Sequence, residues 1–385
     1  MKRRFLLIAI IFLSAVLNLK SQIADSADVY LLTCAPGTET YSIYGHTALR
    51  IAIRGTGFDR VYNWGIFDFT TPHFAYRFAK GKLDYMLGAY DYTDFLNEYV
   101  TEERSVWSQK INLTTADKKR LFLLINENLK PENIKYRYNF FYDNCSTRVR
   151  DILEKSISDS IDCQVPQEKV TFRQLIDQFQ GVMPWIDLGA DMLLGLQADR
   201  KASAREEMFL PLYLKSNMSE WKVIRNNISV KLLDAPQTVV DFPKAEVKKN
   251  HHFITQMVFY AALVLVILIT YVLGFPLLKK GTDLLVYSAY SVLALLLIFT
   301  NLFSEHDALH YNLLILAFNP LLPFLLISLL RGKKAINLNR AALAITVFYF
   351  PVALIAGQGI NPAIIPLVLI LIVCIFRHCE FGKAF

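Results

Sequence analysis

The hydrophobic pattern divides the chain into a mixed N-terminal part and an apolar C-terminal part. Within residues 23–250, alternating apolar and polar positions predict β-strands at 29–33, 47–53 and 60–64, and apolar residues at helical spacing predict a helix over 118–129. This combination of elements indicates an α+β domain.

A second helix is predicted directly after Asp143 and Asn144. Apolar residues follow at positions 149, 152, 153 and 157, which lie on one helical face. Asp and Asn are favoured N-cap residues because their side chains accept hydrogen bonds from free backbone N–H groups. The helix therefore opens with Cys145.

Beyond residue 252 the pattern changes to five apolar blocks, each near the ~17 to 25 residues that a membrane-spanning helix needs. The blocks are 253–275, 284–303, 309–330, 341–356 and 361–376. The last two are short and contain prolines, so a re-entrant hairpin around 357–359 is the alternative to two separate spans. We predict an α-helical transmembrane bundle of about five spans.

The chain begins with an export signal and its loops indicate an orientation. Residues 2–4 are basic and precede an apolar run at 5–17, as in a secretory signal, with an uncleaved anchor as the alternative. If five spans alternate, the Lys and Arg residues of the later loops all fall on one side. We predict a multi-pass inner-membrane protein with a signal peptide or anchor at 1–22, a periplasmic domain at 23–250, a transmembrane domain at 251–385 and a cytoplasmic C-terminus.

Composition agrees with a membrane protein. Hydrophobic residues make up 54% of the 385 residues and charged residues 19%, and the mean hydropathy is +0.30, which is too apolar for an ordinary soluble enzyme. The net charge of +7 does not indicate nucleic acid, because the basic residues flank apolar runs and form no stripe with aromatic residues. We therefore predict a membrane partner and no nucleic acid.

The five cysteines have neither zinc-ribbon nor CxxC spacing; they are Cys34, Cys145, Cys163, Cys374 and Cys379. Cys145 is distinct because the free N–H groups and the dipole at a helix start stabilise a thiolate, the form that attacks a carbonyl. Its alternatives are a buried small side chain, or a disulfide with Cys34 or Cys163.

A base for this thiol is available in His46, which follows Gly45 and begins an alternating strand pattern. A Cys–His pair serves cysteine hydrolases and acyltransferases, in which the imidazole accepts a proton and later returns it. A zinc site built from Cys34, His46 and Cys145 would lack a fourth ligand, so we predict no metal. No nucleotide or flavin motif is visible, so we also predict no organic cofactor.

Several short segments resemble those of a known family. They are LTCAPG at 32–37, YGHTALR at 44–50, YNWGIFDF at 62–69, FAKGKLDY at 78–85 and YDNCSTR at 142–148, followed by MFLP at 208–211 and the membrane spans. The combination is similar to the Lnb-type lipoprotein N-acyltransferases, inner-membrane proteins whose periplasmic domain is a permuted papain-like fold of the NlpC/P60 or LRAT kind.

The resemblance implies that Cys145 is the nucleophile and His46 the base. A third catalytic group that orients the imidazole is expected on the neighbouring strand. Asn63 and Asp68 are the candidates there, and Asn63 is preferred.

Substrate-binding candidates lie in both parts of the chain. Asn144 and Tyr44 belong to the cysteine and histidine motifs, and His306 lies in a polar cluster between the second and third apolar blocks. The spacing of His306 and His310 permits a metal pair or a lipid-headgroup contact, but ordinary interfacial polarity is the better explanation.

Aromatic residues crowd the early part of the mixed domain, at positions 67, 69, 74, 76, 78, 85 and 90. They can shape a groove for an acyl chain, or pack as the core of a sheet.

The resemblance implies a membrane-bound thiol acyltransferase. Cys145 would take an acyl chain from a phospholipid as a thioester and pass it to the N-terminal amine of a diacylglyceryl-cysteine lipoprotein. The alternatives are a Cys–His hydrolase of cell-wall peptides or lipid esters, and a non-catalytic membrane assembly protein.

Overall fold

The structure is a computed structural model that describes residues 24–165, 169–181, 183–243 and 252–380. The predicted signal peptide or anchor at 1–22 lies outside the described residues. The chain forms two compact units. The first comprises the described parts of Met1–Arg77, Lys82–Lys169 and Ala202–Ala245, and the second those of Phe78–Gly81, Val170–Lys201 and Glu246–Phe385.

The described strands are β1 (Ala27–Cys34), β2 (His46–Ile53), β3 (Phe58–Ile66), β4 (Asp84–Asp91), β5 (Val106–Lys110), β6 (Lys135–Arg137), β7 (Ser160–Asp162), β8 (Lys222–Arg225), β9 (Ile228–Lys231) and β10 (Gln237–Val240). The described α-helices are α1 (Phe74–Ala79), α2 (Tyr92–Thr101), α3 (Thr115–Asn128), α4 (Cys145–Ser156), α5 (Phe172–Gln180), α6 (Pro184–Leu193), α7 (Ala204–Glu207), α8 (Pro211–Glu220), α9 (His252–Ile267), α10 (Pro276–Phe303), α11 (Leu314–Ala317), α12 (Leu322–Leu330), α13 (Ile336–Ala356) and α14 (Ile364–Arg377).

The first unit is built on an antiparallel sheet. Within the described residues its seven strands follow the order β10-β5-β1-β2-β3-β4-β6, and β7, β8 and β9 form a separate small sheet. The strands predicted from alternation are confirmed as β1, β2 and β3, and the predicted helices as α3 and α4. The prediction of an α+β domain is therefore confirmed.

The large sheet carries an apolar layer on each face, as the period of two in a strand requires. Val29 and Leu31 of β1 belong to the main core, which Val149 of α4 also joins. Leu32 and Cys34 belong to a second cluster with Phe95 and Tyr99 of α2. Helices thus cover both faces, α3 and α4 on one side and α2 on the other.

The second unit contains the apolar helices. Among the described residues, three are long and apolar enough to cross a membrane: His252–Val272, Pro276–Phe303 and Ile336–Ala356. The last block forms the shorter helix α14. The block at 309–330 is interrupted, because it divides into α11 and α12.

The interruption in this block follows from its own residues. Pro320 lacks the N–H that a helix interior needs. Asn319 is buried, its Oδ1 accepts from the N–H of Leu321 at 3.1 Å, and its Nδ2 donates to Thr346 Oγ1 at 3.1 Å. The freed backbone groups therefore find partners inside the unit, which is the condition for irregular backbone at membrane depth.

Candidate active site

His46 opens β2 immediately after a turn that requires glycine. Gly45 has a φ of +82°, and a Cβ there would lie 2.6 Å from the carbonyl oxygen of Cys34. His46 is the register partner of Cys34 in β1, and cross-strand partners share a face of the sheet. The imidazole therefore begins on the face that α2 covers.

Cys145 is the first residue of α4, as the sequence predicts. Asn144 is the N-cap, and its Oδ1 accepts from the N–H groups of Ser146 at 2.9 Å and Thr147 at 3.0 Å. Its Nδ2 donates to the carbonyl oxygens of Phe140 at 2.8 Å and Phe209 at 2.9 Å.

These four bonds change the interpretation of Asn144 itself. The side chain is 3% exposed, and both of its amide hydrogens and both lone pairs are used inside the protein. Asn144 therefore positions Cys145 at the helix start and has no group left for a substrate, which corrects its assignment as a binding residue.

A buried hydroxyl pair fixes α4 to β2 beside the two reactive residues. Thr47 Oγ1 and Ser146 Oγ are 3.0 Å apart and share a hydrogen bond. Each is the chain neighbour of one reactive residue, His46 or Cys145. The pair therefore sets the spacing at which thiol and imidazole meet.

The thiol of Cys145 and the imidazole of His46 activate each other. Burial by itself raises the pKa of Cys145, but the charge and hydrogen bond of His46, with the N–H of Thr47 and the hydroxyl of Ser146, outweigh it and lower the pKa below 9.0. Burial lowers the pKa of His46, but the charge and hydrogen bond of Cys145 and the hydrogen bond of Asn63 raise it above 6.5. Both shifts favour a thiolate beside an imidazolium.

Asn63 of β3 holds the other side of the imidazole. Its Oδ1 is hydrogen-bonded to His46 Nε2, and since an amide oxygen only accepts, Nε2 carries the proton and Nδ1 is left for the thiol. The Nδ2 of Asn63 donates to the hydroxyl of Tyr90 in β4. Asp68, the other candidate, is exposed and accepts hydrogen bonds from Thr70. The structure thus places Asn63, and not Asp68, on the histidine.

Cys34 has the opposite chemistry from Cys145, although both lie near His46. Its side chain is fully buried and hydrogen-bonds to Tyr99, and burial raises its pKa to about 12. All the cysteines in the described part of the chain have free thiols, so Cys145 is not consumed by a disulfide with Cys34 or Cys163. Cys34 packs beside the site as a neutral thiol.

Two family models match the chain. The Lnb N-terminal periplasmic domain matches residues 17–178, and the Lnb transmembrane domain matches residues 248–382. The chain belongs to the Lnb-type family. Comparison with curated proteins and with solved structures found no further match.

Membership of the Lnb family indicates the location and the general role of the protein. It is a membrane protein with a periplasmic N-terminal domain, and the family indicates a role in modifying lipoproteins. The cysteine, histidine and asparagine described above all lie within the segment matched by the periplasmic domain.

Two residues of this Lnb-family site are not evident from the sequence. Gly65 occupies a β-bulge in β3 with a φ of +99°, and a Cβ there would lie 3.5 Å from Cys145 Cβ and 3.9 Å from His46 Cε1. Both distances are ordinary van der Waals contacts, so the positive φ of the bulge, and not a lack of space, favours glycine where the helix and the histidine strand meet. Tyr90 supports Asn63, and only the register of β3 and β4 reveals that they are neighbours.

The remaining predicted binding residues lie in different units. Tyr44 is half-buried in the first unit, with its ring 4.9 Å from that of Phe140. His306 belongs to the second unit, where its Nε2 is 2.8 Å from the carbonyl oxygen of Phe78. His310 bonds elsewhere, with its Nε2 2.8 Å from the carbonyl oxygen of Ser304, so the two imidazoles do not converge on a common ligand. The binding roles of Tyr44 and His306 stay predictions.

Three carboxylates in the second unit lie close enough together to be candidate metal ligands. Asp177, Asp187 and Asp191 offer oxygens within 4.8 Å of one another. Arg173 binds Asp191 at 2.7 Å, and His252 binds Asp187 at 2.8 Å. Burial and the charges of Asp191 and Asp187 raise the pKa of Asp177 to about 8. The guanidinium of Arg173 thus offsets part of the negative charge of these carboxylates.

Replacing Asn63 by alanine is expected to slow acylation of Cys145 about 10- to 100-fold, because the imidazole loses the partner that orients it. The hydrogen bond of Asn63 also raises the pKa of His46, so the alkaline limb of the pH–rate profile should move to lower pH in Asn63→Ala. Pre-steady-state release of nitrophenolate from a p-nitrophenyl acyl ester measures both effects. Asp68→Ala is the control, and an equal loss there would contradict the assignment.

Proposed function

We propose that the protein is a thiol acyltransferase of the periplasmic face of the inner membrane, with its C-terminus in the cytoplasm. It moves an acyl chain from a phospholipid, through a thioester on Cys145, to the N-terminal amine of a diacylglyceryl-cysteine lipoprotein. The observation that carries the proposal is the mutually activated Cys145–His46 pair, oriented by Asn63, in a domain whose chain continues into apolar membrane helices. Membership of the Lnb family supports the choice of substrates.

In the first half-reaction the Cys145 thiolate attacks the ester carbonyl of the phospholipid. Negative charge develops on the carbonyl oxygen, and the backbone N–H of Cys145, in the first turn of α4, is suited to stabilise it. As the C–O bond of the ester breaks, the His46 imidazolium gives its proton to the departing lysophospholipid oxygen. The acyl chain is left as a thioester on Cys145.

In the second half-reaction the neutral α-amine of the lipoprotein attacks the thioester carbonyl. His46, now neutral, accepts the proton that the amine loses, and the C–S bond breaks to return the thiolate. The products are an amide-linked acyl chain on the lipoprotein and the original ion pair. The hydrogen bond from His46 Nε2 to Asn63 directs Nδ1 at the sulfur in both steps.

A labelled-acyl transfer experiment tests the proposal. The full-length protein, in nanodiscs containing phosphatidylethanolamine with an alkyne-tagged acyl chain, should acquire a hydroxylamine-sensitive label on the Cys145 peptide. Adding a diacylglyceryl-cysteine lipopeptide should transfer the label to its amine, whereas a lipopeptide with an acetylated amine should not receive it. Mass spectrometry identifies both products.

The same experiment separates transfer from hydrolysis. Release of labelled fatty acid at one rate with and without the lipopeptide would show that water is the acceptor and refute acyltransfer. A protein that never acquires label would refute the thioester.

A further inference from the structure

We propose that a row of aromatic side chains in the first unit binds the acyl chain of the ester while its carbonyl lies at Cys145, an inference that rests on the proposed function. The row, called here the aromatic track, consists of Tyr138, Tyr85, Phe67, Phe69 and Phe74. The acyl chain would lie along these five side chains, and these residues would select its length.

The aromatic track begins at the reactive thiol. The backbone from Gly65 to Phe69 starts beside Cys145, since a Cβ on Gly65 would be 3.5 Å from Cys145 Cβ. A chain attached to a carbonyl at the sulfur therefore meets these residues first.

The rings then follow one another without a gap. Tyr138 stacks on Tyr85 with centroids 4.1 Å apart, Tyr85 lies 5.0 Å from Phe67, and Phe67 lies 4.8 Å from Phe69. Phe74 of α1 flanks the end at 5.1 Å from Phe69. Such spacings give a continuous apolar surface.

The rings of the aromatic track differ in exposure. Tyr85 is 7% exposed, Tyr138, Phe67 and Phe74 are partly buried against the core, and Phe69 is 66% exposed. Phe69 packs on Phe67 and Phe74 and brings this apolar path to the surface. The surface is therefore suited to a ligand that enters from outside and ends at the thiol.

A second aromatic group also lies near Cys145. Tyr44 contacts Phe140, which contacts Phe141 and Phe209, and these last two are 2% and 1% exposed. This group reaches the surface at Tyr142, whose ring lies 6.0 Å from that of Phe141 and which is 39% exposed. The acyl chain is assigned to the aromatic track instead, because the backbone that carries Phe67 and Phe69 starts at Gly65 beside Cys145, and Phe69 is 66% exposed.

The experiment measures chain-length selectivity of Cys145 acylation. The full-length protein in detergent reacts with p-nitrophenyl esters of four and sixteen carbons, and the burst of nitrophenolate gives each acylation rate. Phe69→Ala removes the exposed end, and Phe67→Trp narrows the path. Each methylene that leaves water favours binding by about fourfold, so losing two such contacts should lower the ratio of the sixteen- to four-carbon rates by a factor of about 16.

Phe58→Ala is the matched control, because Phe58 is a 38% exposed phenylalanine at the opposite end of β3. It should leave the ratio unchanged. An unchanged ratio in both track variants of an acylating protein, or an equal fall for short and long esters, would overturn the aromatic track while leaving the thioester mechanism intact. Absence of a burst from the wild-type protein with every ester would instead refute the proposed function, and the track with it.

Discussion

Cells that carry Cys145→Ser as their copy of this protein are expected to accumulate lipoproteins with a free N-terminal amine. A serine hydroxyl in the same place keeps nearly the same shape but ionises far less readily, so His46 cannot hold it as an anion. The rate of N-acylation should fall at least about a thousandfold. Mass spectrometry of lipoprotein N-terminal peptides measures the loss as missing amide-linked chains.

Two cysteine variants serve as controls for this result. Cys163→Ser makes the same change at an exposed thiol, and Cys34→Ser makes it at a thiol whose pKa burial raises to about 12. Neither control variant should reduce N-acylation as much as Cys145→Ser does. Normal lipoproteins with altered cell-wall peptides in Cys145→Ser would favour a hydrolase, and full complementation by Cys145→Ser would favour a non-catalytic role.

Replacing His46 by glutamine should slow turnover and also raise the pKa of Cys145. The charge and hydrogen bond of His46 keep the pKa of Cys145 below 9.0, and without them burial raises it. Alkylation of Cys145 by iodoacetamide at pH 7 should therefore slow by a factor on the order of a hundred, and its midpoint should move to higher pH. Turnover should fall by a factor of about 10² to 10⁴.

The pH dependence of acylation in the wild-type protein follows from the titration of Cys145 and His46. Acylation should rise on the acid side as Cys145 loses its proton, at a pH below 9.0, and should fall on the alkaline side as His46 loses its proton, at a pH above 6.5. His46→Gln should remove the alkaline limb. His73→Gln makes the same change at an exposed position of the first unit and should reproduce the wild-type profile. An intact alkaline limb in His46→Gln would contradict the proposed ion pair between Cys145 and His46.

Local signals in the sequence were sufficient for the elements that carry the reactive residues. The N-cap preference of Asn144 places Cys145 at the start of α4, and alternation places His46 in β2. Asn63 was preferable to Asp68 only on weak grounds, because a single register step moves a strand residue to the other face.

Contacts between elements that are distant in the chain cannot be predicted from local sequence patterns. Cys145 comes from a helix on one face of the sheet and His46 begins on the other, and the two meet beside the bulge at Gly65. The structural role of Asn144 depends on the carbonyl of Phe209, which is distant in the chain. Asn319 and Pro320 are the local signal for the interruption of the block at 309–330. The high average hydropathy of that block nevertheless favours a single continuous helix.

The hydroxyl pair of Thr47 and Ser146 has a consequence for the newly exported chain. His46, Asn63 and Tyr90 come from the successive strands β2, β3 and β4, whereas the thiol of Cys145 lies on α4, which follows much later in the sequence. Before this docking occurs, Cys145 is an ordinary thiol that reacts slowly with oxidants and electrophiles. We therefore expect the Cys145 thiol to become reactive only after α4 has docked against β2, when folding of the domain is complete.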